Sequence, residues 1–112
     1  MIDWIRVKDL RDEIGGEDFA EVVALFLEEA DDVVTRLHRC EGPPALESAL
    51  HFLKGSALNL GFRALADLCQ AGERQAAQGE AGIDLALVMT TYDQSKAAFE
   101  AGLDRLGGSR AA

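Results

Sequence analysis

His51 opens the run His51-Phe52-Leu53-Lys54-Gly55-Ser56-Ala57-Leu58-Asn59-Leu60-Gly61. A neutral imidazole is a competent nucleophile near neutral pH, and its two nitrogens can divide the work, one held by an acceptor and the other left free to attack. Whether such a ring can react depends on where it points. Apolar residues in the surrounding segment fall at Leu46, Ala49, Leu50, Leu53, Ala57 and Leu60, the three-and-four spacing of one buried helical stripe. At about 100° per residue, the centre of that stripe lies near Leu53 and Ala57, and His51 stands roughly 140 to 150° around from it. The ring is therefore expected in solvent, with Lys54 and Leu58 on its side of the helix and Gly55 one turn beyond. A mid-helix glycine costs roughly 1 kcal/mol relative to alanine. Gly55 points away from the core, so helix packing does not account for it. Access does, because the missing side chain leaves room for a bulky group or another protein's surface to reach His51.

The elements that must position this ring are helical. Ala, Leu, Glu, Asp and Arg dominate, and only two prolines occur in 112 residues. That length supports one core. A short first helix is expected over about Asp3 to Ile14, with Val7, Leu10 and Ile14 on one side and Gly15-Gly16 as its stop. Asp18 is placed as the N-cap of a long second helix, with Glu21 completing a capping-box-like pair, and Phe19, Val22, Val23, Phe26, Ala30, Val33, Val34 and Leu37 carry its stripe to about Arg39. Gly42-Pro43-Pro44 breaks the chain, Pro44 suits the first turn of the helix bearing His51, and Gly61 ends that helix or bends it. A fourth helix runs from Phe62 to about Gln78, lined by Leu65, Leu68, Cys69, Gly72 and Ala76. The fifth runs from about Ile83 to Leu106, with Leu85, Val88, Tyr92, Ser95, Phe99, Gly102 and Leu106 roughly aligned. The expected fold is an all-α, up-down-up-down antiparallel four-helix bundle capped by the short N-terminal helix, as one domain over residues 1–106 with a flexible tail at 107–112. Such a bundle presents helix faces rather than a deep cleft, which places function on the surface.

Several classes of function are excluded or disfavoured. A net charge of −9 opposes binding to a phosphate backbone, so no nucleic-acid partner is expected. No stretch approaches the roughly 20 apolar residues of a membrane span, and Met1-Ile2-Asp3-Trp4-Ile5-Arg6 lacks the apolar core of a signal peptide, so a cytoplasmic location is expected. Cys40 and Cys69 show no Cys-x-x-Cys spacing and read as small apolar residues, and His38, His51, Cys40 and Cys69 share no metal-ligand spacing. No metal is expected. The chain has no Gly-rich phosphate loop, no Gly-x-Ser-x-Gly elbow and no Glu-x-x-His pairs. Glu47, four residues before His51, reads as an exposed ion or hydrogen-bond partner.

The segment from His51 to Glu73 resembles the histidine-containing phosphotransfer (HPt) domain family, whose signature is a phosphoacceptor His followed by x-Leu-Lys-Gly-Ser, a small-residue stretch, Leu-Gly, and a further helix closing on an acidic or amide residue. The matching residues are His51, Leu53, Lys54, Gly55, Ser56, Ala57, Asn59, Leu60, Gly61, Leu65, Leu68, Cys69 and Glu73. The resemblance implies that His51 accepts a phosphoryl group, that the Lys54 ammonium stabilises phosphoryl charge, and that Glu73 orients the imidazole through Nδ1. It also implies partners: a hybrid sensor histidine kinase and response-regulator receiver domains, the receiver bringing its own divalent cation, Mg, so that this chain needs no cofactor and no ATP site. The chain would then be a monomeric phosphocarrier and not an enzyme in its own right. Two residues depart from the pattern. Gly72 replaces a larger apolar residue, which is expected to loosen the fourth helix and shift Glu73, and Ala77 stands where some members carry arginine.

Receiver docking is expected on a mixed patch of Lys54, Gly55 and Leu58, with Val7 or Leu10 of the first helix beside it. Two other readings compete. A histidine-kinase dimerisation region would show Pro or Thr soon after the His, which is absent here. A helical adaptor that binds a receiver or kinase without being phosphorylated differs in one observable, the phosphorylation of His51.

Overall fold

Glycine and proline punctuate the chain, and helices fill the intervals. The computed structural model describes residues 2–80 and 82–107, with side chains as far as Leu103. Five α-helices follow in order: α1 Trp4–Ile14, α2 Gly16–Arg36, α3 Pro43–Leu60, α4 Arg63–Ala77 and α5 Leu85–Gly107. Among the described residues there is no strand, only an isolated bridge between Ile2 and Phe62. The expected tail begins at Gly107, which closes α5; the rest of it, and the side chain of Leu106, lie outside the described residues.

The helix boundaries show which local chemistry prevails. Asp3 caps α1, its side chain accepting from Arg6 N–H at 3.2 Å. Asp18 does not cap α2 as expected. Gly15, at φ 99°, takes the turn between α1 and α2, and its carbonyl receives the N–H groups of Asp18 and Phe19, which leaves Glu17 and Asp18 inside the first turn as acidic partners for the helix dipole. The long helix also stops sooner than Arg39, tightening into a 3-10 turn at Leu37–Arg39. Both Pro43 and Pro44 occupy the start of α3, where a missing N–H costs nothing. Asp84 accepts from Leu87 N–H at 3.0 Å and caps α5, a cap the pattern of apolar residues does not reveal.

The stripes fold inward as their periodicity requires. Leu46, Leu50, Leu53, Ala57 and Leu60 of α3 are buried, and they meet Leu65, Ala66, Cys69, Gly72 and Ala76 of α4 along the most extensive seam in the molecule. Contacts continue from α2 to α3, from α4 to α5, and from α2 to α5, within an envelope of 50 × 21 × 21 Å. Tyr92 of α5 donates its hydroxyl proton to Asp31 of α2, and Lys96 reaches the same carboxylate at 3.0 Å, a polar clasp between the two helices. Burial, with Asp31 next, pushes the Tyr92 phenol well up, so it stays protonated.

At the end of α3 the chain is held by aromatic rings. Phe62 meets Phe99 edge-on at 5.3 Å, and Trp4 stacks on Phe99 at 6.0 Å in the space left by Gly102, where a Cβ would strike the indole. Gly61 ends α3 in the left-handed region at φ 77°, and any Cβ there would lie 2.7 Å from the carbonyl oxygen of Asp3, so only glycine lets the N-terminal segment cross. Asp3 N–H donates to Gly61 O at 2.7 Å across that crossing. No described helix is long and apolar enough to cross a membrane.

Candidate functional site

His51 stands on the outer side of α3, its side chain 68% exposed. Its Nδ1 lies 2.7 Å from Oε2 of Glu73 on α4, and Lys54 Nζ lies 2.9 Å from the other carboxylate oxygen. Three residues that chemistry would want together are thus assembled across the α3–α4 seam. The seam itself explains how. Gly72 is buried, and a Cβ on it would come within 2.9 Å of Leu50 Cδ1 and 3.3 Å of Ile83 Cγ2. Leu50 fills that vacancy, which draws α4 against α3 and brings Glu73, the next residue, within reach of His51. The expectation that Gly72 loosens the fourth helix is therefore corrected, because the missing side chain is occupied by a neighbour's.

Electrostatics fix the direction of the hydrogen bond. The Lys54 ammonium beside Glu73 holds its carboxyl below the usual carboxylate range, His51 acting in the same sense and desolvation opposing both. An ionised carboxylate can only accept, so the 2.7 Å contact requires the proton on Nδ1 and leaves Nε2 unprotonated in the neutral ring. Glu73 is only 19% exposed and its Oε1 atom is buried without a well-angled hydrogen bond, so the Lys54 charge is what compensates it. Cys69, one turn before Glu73, is buried, and its thiol is pushed up to about 12 by that burial and by Glu73, with Lys54 opposing. It stays a thiol at neutral pH and does not compete as a nucleophile.

The expected residues fall into three groups. His51 and Lys54 both contact Glu73, one on each carboxylate oxygen. Gly55 and Leu58 lie on the open side: a Cβ on Gly55 would meet nothing within 4 Å, and Leu58 is 57% exposed. Val7 and Leu10 do not belong to a docking surface, because both are buried where α1 seals the end of the molecule, Val7 packing over Gly61. The exposed apolar side chain of α1 is Ile5, at 77%. Lys54 also differs from its expected exposure, being 22% exposed with its head turned to Glu73. Glu47 does not pair with His51, whose Nδ1 is taken by Glu73.

Residue patterns missed Phe52 and Ile5, both exposed, and the hydrogen bond from Arg6 of α1 to Asn59 of α3. The two apolar residues were visible as exceptions to their stripes, whereas the Arg6–Asn59 pair spans the chain and leaves no local signal. An open groove between α2 and α3 holds none of the three clustered residues, and no described group of three or more His, Cys, Asp or Glu could hold a metal ion.

A family model described as Hpt domain matches residues 21–108, from early α2 to beyond the end of α5. The chain belongs to the Hpt family. No match was found among curated proteins or solved structures. Hpt domains serve histidine phosphotransfer in two-component phosphorelays, as phosphocarriers rather than catalytic enzymes, and work with receiver and kinase components. The all-helical fold agrees with that membership. The match begins at residue 21, so α1, with Ile5 and Arg6, lies outside the part this Hpt domain shares with its family model.

Proposed function

We propose that His51 accepts a phosphoryl group from the aspartyl phosphate of a receiver domain and passes it to the aspartate of another. The observation that carries this reading is an imidazole whose side chain is 68% exposed and whose Nδ1 lies 2.7 Å from a carboxylate oxygen of Glu73, so that Nε2 is the nitrogen left to react. In the accepting step the Nε2 lone pair forms the N–P bond, the P–O bond to the aspartyl carboxylate breaks, and its electron pair leaves on that carboxylate. The ring keeps its Nδ1 proton, and Glu73 stabilises the positive charge the ring acquires. Transfer to the next receiver is the same exchange in reverse.

Lys54 is placed to respond to the incoming charge. Its ammonium rests on Glu73 and has a flexible stem, so an arriving phosphoryl group competes with the carboxylate for it. The divalent cation is supplied by the receiver, and no cofactor resides in this chain. Docking uses the bare surface at Gly55 with the accessible Leu58 and Phe52 of the same helix, and Ile5 is the exposed apolar side chain that α1 can add. The sequential helix contacts and the closing contact of α2 with α5 support an up-down-up-down four-helix arrangement beneath that surface. The carrier acts as a cytoplasmic monomer and receives its phosphoryl group through a hybrid sensor kinase.

The test uses phosphorylated receivers from the same organism, mixed with the protein and with His51→Gln. Rapid transfer to the parent alone is expected. Label on the His51→Gln protein would overturn the site, self-labelling from ATP would overturn the carrier role, and receiver binding without transfer would make the chain an adaptor.

A further inference from the structure

Asn59 sits in the last turn of α3, two turns from His51 and without contact to it. Its side-chain Nδ2 donates to the carbonyl oxygen of Gly55 at 3.1 Å, and its Oδ1 accepts from Nη2 of Arg6 at 3.1 Å. Arginine has donors only, so the oxygen of the amide must face Arg6 and the nitrogen must face the carbonyl. The other guanidinium nitrogen reaches Glu13 at 3.4 Å. Arg6 is set in place by α1, whose start is bound to the end of α3 by Asp3 N–H donating to Gly61 O at 2.7 Å and by the Ile2–Phe62 bridge. A chain of hydrogen bonds therefore runs from the capping helix to the backbone of the residue one turn beyond His51.

That backbone needs support. Gly55 has the greatest conformational freedom of any residue in α3, and a Cβ there would meet nothing, so no neighbouring side chain restrains the turn from outside. The α-helical register already directs Asn59 N–H to Gly55 O, and the Asn59 side chain adds a second donor to the same oxygen. We propose that Arg6 and Asn59 are positioning residues for phosphoryl transfer, stiffening the Gly55 turn from its far side so that the surface left bare for a partner is not also loose. The proposal rests on the reading of His51 as the phosphoacceptor. It gives α1 a role beyond sealing the core: through Arg6 it braces the turn that follows His51.

The test is a double-mutant cycle on the full chain between Asn59→Ala and Gly55→Ala, with amide hydrogen exchange measured beside phosphotransfer. Asn59→Ala should leave the circular dichroism spectrum unchanged, speed exchange of the Asn59 and Leu60 amides about tenfold, and lower the transfer rate at saturating receiver about fivefold with little change in the receiver concentration at half-saturation. Introduced into the Gly55→Ala protein, whose helix is stiffened by the added methyl, the same change should cost less than about twofold. Should Asn59→Ala fail to fold, Arg6→Met, which frees Asn59 from its anchor but leaves it beside Gly55, is expected to give the same pattern at smaller amplitude. Unchanged exchange, or equal losses in the two backgrounds, would overturn the positioning role. A parent protein that accepts no phosphoryl group at all would overturn the carrier reading instead, and the exchange rates would still decide whether the network stiffens the turn.

Discussion

Gly55 lies on the open face of α3 and Gly72 in the seam between α3 and α4, each inside a helix, and the molecule uses them in opposite ways. A Cβ on Gly55 would meet nothing, whereas one on Gly72 would press on Leu50 and Ile83. The roughly 1 kcal/mol that each glycine costs its helix is offset at Gly72 by close packing within the chain. At Gly55 no side chain packs into the vacancy to offset it. A vacancy filled from within serves the fold, and on the proposed function the one left open serves an arriving receiver. The two are coupled, because the approach permitted by Gly72 brings Glu73 to His51, while Gly55 clears the path to the same ring.

Exchanging the properties of the two positions should separate transfer from stability. Gly55→Gln is expected to keep the protein folded and up to roughly 1 kcal/mol more stable, while lowering transfer from a phosphorylated receiver about 100-fold by obstructing its approach. Heat denaturation and transfer kinetics on one preparation check both halves, and a destabilised protein that transfers normally would erase the contrast. Gly72→Val should act first on the fold, overpacking Leu50 at a cost of about 1–3 kcal/mol, and slow transfer about tenfold as Glu73 is pushed from His51. Chemical denaturation gives the stability change. An unchanged midpoint would mean that the notch at Gly72 is not needed.

Lys54→Ala tests the ion pair that joins the two sides. Transfer should fall about tenfold, less than for loss of a sole charge stabiliser if, as proposed, a cation on the receiver shares the task. An unchanged rate would reduce Lys54 to a partner of Glu73. The smallest effect expected is on titration. Glu73 should titrate below the ordinary 4.5 in the parent, with Lys54 the leading cause, and move upward in Lys54→Ala, as read from its side-chain carboxyl carbon by NMR. Because its folded value is depressed, the pair's contribution to stability is complete above 4.5 and fades as pH falls through the folded value. Denaturation of the parent and of Glu73→Gln should therefore differ most above 4.5 and converge as the pH falls below the folded value.

Much of this was legible in the chain because helical periodicity reports sidedness. The stripe through Leu46, Leu50, Leu53, Ala57 and Leu60 fixed the outward direction of His51 and the bareness of Gly55, and both stand as expected. Periodicity does not report what stands opposite. For that reason the pattern alone makes Gly72 a weakness, whereas it is a socket for Leu50, and puts Lys54 in open solvent, whereas it bends toward Glu73 on the adjacent helix. Val7 and Leu10 share one side of α1, and the pattern does not say whether that side meets a partner or the core; burial settles on the core. The turn before α2 went astray because Gly15 at positive φ can start a helix without any side-chain cap, which removes the need for Asp18. Arg6 and Asn59 could not be paired from sequence, since nothing local links residues brought together only when α1 folds across the end of α3.

The central claim is that Glu73 holds the Nδ1 proton so that Nε2 is the nitrogen that reacts. The direct measurement is NMR of the protein phosphorylated by a receiver, with nitrogen-15 in its histidine rings, to identify the nitrogen bonded to phosphorus. The expected result is a single phosphoryl group on Nε2 of His51 with the proton retained on Nδ1. Phosphorus on Nδ1, or on His38 in place of His51, would contradict it.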